Sequence, residues 1–510
     1  MAQINVNNLT FAYEGSLDNV FENISFTVDT NWRLGFIGRN GKGKTTFLNL
    51  LMGKYEYNGS ISTTTVFDYF PYVTLPGDMA KPAYELMENW KPGLEDWKVM
   101  YELPKLAVDA ELLYRPFNTL SFGERTKIML AVLFSGENDF LLVDEPTNHL
   151  DKEAREIVKN YLKTKKGFIL VSHDRDVLDA CIDHVLVLNR ASIEIQAGNF
   201  SSWWENKEKA DINARAENEK HIKEIGKLEA AADRASRWAE KNENTKIGFD
   251  PIKEHDRSLD TRCFIGAKTK KMQKRVKAYE GRINREIEEK EGLLNDIEEV
   301  TDLKLMPLKY HKERLAFGRD YSLKYKDADE CVFNSLTFEI NNGDRVVIDG
   351  ENGSGKSSLI KAILDMSCKA AKETLNYEWE GILEIPGNLI ISYINQDTSY
   401  LKGFLKDYCE SECLDYTLLL SLLRQLGFER VQFAKPMEQY SEGQKKKVLI
   451  AASLLTSAHL YIWDEPLNYI DVFTRMQVEK LIETYKPTML IVEHDVRFKE
   501  KIATDFIRLK

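Results

Sequence analysis

A complete phosphate-binding pattern occurs twice in this chain of 510 residues, as Gly38-Arg39-Asn40-Gly41-Lys42-Gly43-Lys44-Thr45 and as Gly350-Glu351-Asn352-Gly353-Ser354-Gly355-Lys356-Ser357. Each copy fits G-x-x-x-x-G-K-[ST], follows an apolar stretch (Leu34 to Ile37, Val346 to Ile348) and opens a run with helical periodicity. A strand, a tight loop and a helix in that order are what the pattern needs in order to work. The glycines Gly38, Gly41, Gly43, Gly350, Gly353 and Gly355 let successive backbone N–H groups turn inward around phosphates. Lys44 and Lys356 would neutralise the β- and γ-phosphates, and the hydroxyls of Thr45 and Ser357 can ligate Mg²⁺. Asn40 with Thr46, and Asn352 with Ser358, complete the two nucleotide-contacting loops. Two such loops predict an α/β chain with tandem ATPase domains.

The rest of the repeat agrees. Tyr13 precedes Gly38 by 25 residues and Tyr325 precedes Gly350 by 25, so an offset of 312 relates the tyrosines as it relates Lys44 to Lys356. An offset of 320 relates Leu120-Ser121-Phe122-Gly123-Glu124 to Tyr440-Ser441-Glu442-Gly443-Gln444, and Asp144-Glu145-Pro146 to Asp464-Glu465-Pro466. His173 in Val-Ser-His-Asp is echoed by His494 in Val-Glu-His-Asp. The chain is a tandem duplication.

A chain of this length exceeds one hydrophobic core. The repeat divides it into a first α/β domain, 1–204, a middle segment, 205–310, and a second α/β domain, 311–510. In the middle segment Ile222, Ile225, Leu228, Ala232, Ala235 and Trp238 recur at spacings of three and four, as do Met272, Val276, Tyr279, Ile283 and Ile287. Two long helices with facing apolar seams are expected, an antiparallel hairpin whose tip lies at about 242–266. The net charge of −11 argues against a uniform nucleic-acid coat but leaves room for a local basic surface. No run reaches the ~18 apolar residues of a membrane span and no signal peptide is evident, so a cytoplasmic protein is expected. The six cysteines show no metal-ligand spacing and read as free thiols.

Chemistry gathers at the strand ends. Asp144 and Asp464 end apolar strands, where they can hold Mg²⁺, and the following Glu145 and Glu465 are placed to orient or deprotonate an attacking water. His173 and His494, downstream at further strand ends, point to γ-phosphate contact. Tyr13 and Tyr325 could be ordinary strand aromatics, but their equal distance from the two loops favours stacking on adenine.

Together these motifs, followed by Asp151 and Asp471, resemble a complete pair of ATP-binding cassettes, and cassettes fused through a helical hairpin are similar to the ABC-F family of ribosome-associated ATPases. The resemblance implies that the cassettes close face to face within a monomer. Lys44, Thr45, Asp144, Glu145 and His173 would then face Ser441, Gly443 and Gln444. Lys356, Ser357, Gln396, Asp464, Glu465 and His494 would face Ser121, Gly123 and Glu124, with Gln396 sensing Mg²⁺. Tyr72 stands where the family has the glutamine, so unequal hydrolysis at the two sites is expected. Glu465-Pro466-Leu467-Asn468-Tyr469-Ile470-Asp471 also departs from the first copy's form and resembles the Lsa/Vga type of antibiotic-resistance members.

From Thr261 to Tyr279 there are seven basic residues and no acidic one. Such a run can be a solvated helix face. On a protruding hairpin it reads as contact with RNA phosphates, through Lys270, Lys271, Lys274 and Arg275 among others. Phe249, Phe264 and the neighbouring apolar residues at the tip, among them Leu259, would meet RNA bases or ribosomal protein. The resemblance thus implies a protein associated with the 70S ribosome, reaching 23S rRNA and P-site tRNA from the exit-site region. It would protect translation from lincosamide, streptogramin A and pleuromutilin drugs. A housekeeping translation factor of the same family is the near alternative. An ATPase subunit of a membrane exporter is the distant one, having no evident use for a basic hairpin.

Overall fold

The two apolar stretches before the phosphate loops are strands inside two parallel sheets. The computed structural model describes residues 2–13, 19–41, 43–136, 139–148, 150–188, 193–244, 274, 278, 282, 303–326, 328, 330–351, 353–368 and 375–509. The chain divides into one unit of Met1–Trp203 with Val300–Lys510 and another of Trp204–Glu299.

In the first cassette the strands are β1 (Gln3–Phe11), β2 (Phe21–Asp29), β3 (Arg33–Ile37), β4 (Asn58–Ser62), β5 (Val66–Phe70), β6 (Asp139–Asp144), β7 (Phe168–Val171), β8 (His184–Leu188) and β9 (Ile193–Ala197). An antiparallel sheet runs β2-β1-β4, and a second sheet runs β5-β6-β7-β3-β8-β9, parallel except for the last pair. The second cassette repeats this with β10 (Arg314–Tyr325), β11 (Phe333–Asn341), β12 (Arg345–Asp349), β13 (Tyr377–Glu384), β14 (Ile391–Ile394), β15 (Leu460–Asp464), β16 (Met489–Val492) and β17 (Asp505–Arg508). Its sheets run β11-β10-β13 and β14-β15-β16-β12-β17. The expected α/β duplication is thus observed. The central strands β3 and β12 end at the phosphate loops, and β6 and β15 deliver Asp144 and Asp464 to the same carboxyl edge, where ligands of open α/β sheets bind.

The continuous apolar strands follow from burial on both faces. In the second cassette Val346, Ile348, Leu460, Ile462, Leu490 and Val492 belong to one core cluster, with the antiparallel sheet. Val347, Tyr461, Trp463 and Ile491, the alternate positions, belong to another, with the helices. Each such side chain taken fully out of water stabilises the fold by roughly 1.5–3 kcal/mol. Helix starts are fixed by caps: Asp151 accepts the Ala154 N–H and Asp471 the Thr474 N–H, each worth about 1 kcal/mol.

The helix Phe200–Asn244 is continuous over 45 residues, roughly 70 Å of axis. Ile222 on its expected seam is exposed, while Ile225 and Leu228 are half-buried. Lys274, Ala278 and Arg282, four apart, are helical and exposed. The side chains of Ala232, Ala235 and Trp238, the returning seam of Met272, Val276, Tyr279, Ile283 and Ile287, and Phe249, Leu259, Phe264, Lys270, Lys271 and Arg275 lie outside the described residues. Among the described residues no helix is long and apolar enough to cross a membrane, and Cys181, Cys331, Cys368, Cys409 and Cys413 are free.

Candidate functional site

Both phosphate loops close on their own lysine. Lys44 Nζ donates to the carbonyls of Gly38 (2.6 Å) and Arg39 (3.3 Å) and to Asn40 Oδ1 (3.1 Å). Lys356 Nζ donates to the carbonyls of Gly350 (2.8 Å) and Glu351 (2.9 Å). Burial lowers both ammonium pKa values, against the pull of neighbouring carboxylates. Gly43 (φ 103°) and Gly355 (φ 93°) turn the chain into the following helix in the left-handed region. A Cβ at Gly43 would come within 2.7 Å of Val20, and one at Gly355 would run into Val332, so neither place admits a side chain. Tyr13 Oη lies 2.6 Å from Thr46 Oγ1 and Tyr325 Oη 2.9 Å from Ser358 Oγ. These matched hydrogen bonds hold each tyrosine beside the first turn of its loop helix.

At the strand ends Thr45 Oγ1 donates to Asp144 Oδ2 (3.3 Å) and Ser357 Oγ to Asp464 Oδ2 (3.0 Å). Asp464 Oδ1 is buried without a hydrogen-bond partner, and burial pushes this carboxyl up to about 6. Among the described residues no three His, Cys, Asp or Glu gather as a metal cage. A hydroxyl–carboxylate pair with an orphaned oxygen suits a hard divalent cation that completes its shell with phosphate and water.

The glutamates that follow differ between the copies. Both lie at positive φ, 52° at Glu145 and 47° at Glu465. Gln396 Nε2 (2.9 Å) and Asn468 Nδ2 (2.6 Å) donate to Glu465 Oε2, and His494 Nε2 is 3.4 Å from Oε1. Burial alone would raise Glu465, but hydrogen bonds and charge from His494, Lys446 and Gln396 hold it below the usual carboxylate range. Glu145 has His173 Nε2 at 3.2 Å, but both carboxylate oxygens are buried without a well-formed hydrogen bond. Burial first, then Asp144, pushes Glu145 up to about 8, while burial holds His173 well below its ordinary value.

The difference traces to one position. The pairings Phe70↔Val143 and Ile394↔Trp463 place Tyr72 in the register of Gln396. Tyr72 donates instead to Asp68 Oδ2 at 2.6 Å and stacks on Trp90. Tyr69, which the sequence reading did not single out, donates to Asp144 Oδ2 at 2.9 Å, on the oxygen that Thr45 also reaches. Glu465→Gln should therefore lower ATP turnover by about 10²-fold and Glu145→Gln by only about twofold, measured as phosphate release from the single variants. Equal losses would remove the significance of Tyr72.

The signature segments start helices. Ser121 and Glu124 cap the helix Phe122–Leu133 reciprocally, and Ser441 with Gln444 caps Glu442–Leu455. Across the cassettes, Asn40 Nδ2 donates to the Tyr469 carbonyl at 2.6 Å, and a Cβ on Gly443 would meet that carbonyl at 2.5 Å and Asn40 Nδ2 at 3.2 Å. The first loop is thus packed against the second signature. The second loop faces a cavity of about 710 Å³, walled by Tyr325, Gly355, Lys356, Gln396, Glu465, His494 and, from the first cassette, Phe122 and Arg155. Arg155 Nη1 also donates to the His494 carbonyl at 3.1 Å. Asn352 lies outside the described residues. Arg155, and the contact made by the Tyr469 carbonyl, escaped the sequence reading, because both cross between repeats and leave no local pattern.

The ABC transporter family matches residues 21–148 and 333–468. "Ribosome protection protein VmlR" of Bacillus subtilis (strain 168) is 28% identical over 509 residues, 96% of this chain and 84% of that protein. "Erythromycin resistance ATP-binding protein MsrA" of Staphylococcus epidermidis is 24% identical over 494 residues, 92% of this chain and 90% of that protein. Among solved structures, archaeal ribosome recycling factor aABCE1 in complex with ribosomal stalk protein aP1 superimposes with a TM-score of 0.58 at 18% identity, over 98% of this chain and 87% of that one. That last likeness concerns the fold.

Proposed function

The chain belongs to the ABC transporter family and so hydrolyses ATP, and from that premise we propose that it is a cytoplasmic, ribosome-associated ABC-F ATPase of Lsa/Vga type that protects translation from lincosamide, streptogramin A and pleuromutilin drugs. The cross-cassette packing of Asn40 against Tyr469 and Gly443 carries the reading: each nucleotide would lie between one cassette's loop and the other's signature. The likeness to VmlR and MsrA supports the direction. The chain would act as a monomer of 1–204, a 205–310 hairpin and 311–510, its hairpin reaching 23S rRNA beside P-site tRNA.

Tyr13 and Tyr325 would stack on adenine, and the loop amides with Lys44 and Lys356 would hold the phosphates. Ser121, Gly123, Glu124, Ser441, Gly443 and Gln444 would present helix N-termini to the opposite γ-phosphate. Thr45 with Asp144, and Ser357 with Asp464 and Gln396, would hold Mg²⁺, which when bound neutralises charge on the transferred phosphoryl group. Glu465, kept ionised by its amide partners, would take a proton from the attacking water, with His494 steadying the carboxylate. ATP then holds the halves together, and its loss lets them part.

The test is translation in a bacterial extract with and without purified protein, across the three drug classes. Restored translation in at least one supports the reading. A stimulation that ignores drugs favours a housekeeping factor. Replacing Lys270, Lys271, Lys274 and Arg275 with Gln should weaken ribosome co-sedimentation and flatten its dependence on salt by about 3–4 in the log–log slope. An unchanged slope would show that the basic run is only a solvated face.

A further inference from the structure

The helix after His173, Arg175–Cys181, and the helix after His494, Val496–Ile502, are both capped by aspartate, at Asp174 and Asp495. Aligned by those caps, Asp176 and Arg497 are the same position of the repeat. In the folded chain these equivalents face each other: Arg497 Nε pairs with Asp176 Oδ1, and Arg497 Nη2 reaches Asp179 Oδ2 at 2.8 Å. An exact repeat would set like charges against each other here, so the two copies have diverged to opposite sign. Asp179 is further engaged. Ser201 donates to it through its amide (2.7 Å) and its hydroxyl (2.5 Å). Ser201 lies in the first turn of the helix Phe200–Asn244. Two residues on, Trp203 is buried and its ring lies 6.2 Å from that of Phe473 in the second cassette.

One side of this contact is also latched. Arg175 forms a buried pair with Glu479, which Lys501 approaches to 3.6 Å. The repeat-equivalent positions are Val496 and Lys159, which cannot form such a pair. They line a cavity of about 850 Å³ that also touches Gly350, Glu351 and His494. The first-site side is therefore fastened by a buried charge pair, where the second-site side has a cavity bridged by the Arg155 hydrogen bond to the His494 carbonyl.

We propose that Arg497, Asp176, Asp179 and Ser201 form a pivot that passes the nucleotide state of the second site to the base of the helix Phe200–Asn244. Arg497 is three residues beyond His494, which walls the second cavity. A γ-phosphate bound there repositions His494 and the helix that follows it. Because the Arg175–Glu479 latch prevents the cassettes from simply sliding, that movement turns about Arg497 and is delivered through Asp179 to Ser201. The pivot rests on the ATP-clamp part of the proposed function and not on any ribosome contact, so a failure of the ribosome reading leaves it standing.

The experiment is hydrogen–deuterium exchange of peptides from 200–244, with and without ATP, in the Glu145→Gln/Glu465→Gln background that retains nucleotide. ATP should alter exchange near the helix base. Arg497→Gln should shrink that response about fivefold while ATP affinity stays within about twofold, and Ser201→Ala should shrink it partly. The charge exchange Asp176→Arg with Arg497→Asp should restore at least part of it. Where Arg497→Gln does not fold, Ser201→Ala alone decides. A response that persists undiminished in these variants, or an exchange pattern that ATP never alters, overturns the proposal.

Discussion

The Glu145→Gln/Glu465→Gln double variant is expected to hydrolyse ATP at least about 10²-fold more slowly than the parent, to co-sediment with ribosomes in ATP, and to arrest growth when expressed. Geometry supports a clean substitution at both places. The amide oxygen that Glu465→Gln introduces can still accept from Gln396 and Asn468, which meet Glu465 Oε2. Glu145→Gln removes a carboxyl that is buried without a well-formed hydrogen bond and already disfavours its charged form. ATP contacts made by the loops, Lys44 and Lys356 are untouched, so binding persists while the step that opens the clamp is lost. Sucrose-gradient sedimentation at physiological salt is the check. A double variant that runs free of ribosomes would refute the clamp.

Replacing Phe249, Leu259 and Phe264 with Ala is expected to abolish drug protection while leaving ribosome binding largely in place and basal ATPase activity within about twofold. Binding is carried by phosphate contacts, which neutralise charge and release counterions whatever the tip presents. Protection requires the tip to reshape its surroundings and so to shift the drug's binding equilibrium, for which contact with the drug itself is unnecessary. Translation assays with a drug panel, run beside phosphate release, separate the two effects. A triple variant that still protects against every drug would move the effector role elsewhere in the chain.

What the sequence disclosed was whatever is local. The loops, the strand-end carboxylates and the capping serines each occupy a few consecutive residues whose types are forced by backbone geometry or charge, and the repeat supplied a second reading of each. Tyr72 was visible as a departure because Gln396 stood at the matched place. What it does could not be read, because its partners Asp68 and Trp90 belong to a packing arrangement and not to a motif. Tyr69 was hidden for a similar reason: its counterpart Tyr393 is also a tyrosine, so the repeat showed no difference, although their hydroxyls go to Asp144 and Asn395 respectively. Asn40 was expected at phosphate, but its reach to the Tyr469 carbonyl spans 429 residues of chain. The pairing of loops with opposite signatures came from resemblance, and the buried Arg175–Glu479 pair was not legible at all, since it joins halves that diverged separately.

The left-handed backbone at Glu145 and Glu465 bears on how variants of this protein should be selected. A residue with a Cβ held at φ near +50° carries about 1–2 kcal/mol of strain that glycine does not. Glu465→Gly relieves that strain but also takes the shared acceptor from Gln396, Asn468 and His494, so the opposing effects should leave the melting temperature close to the parent's while the carboxylate on which turnover depends is lost. A thermal-shift survey of position 465 would therefore pass a dead enzyme as sound, because relief of the backbone hides the loss of the side chain. Selection for robustness in this chain has to be scored by phosphate release as well as by heat.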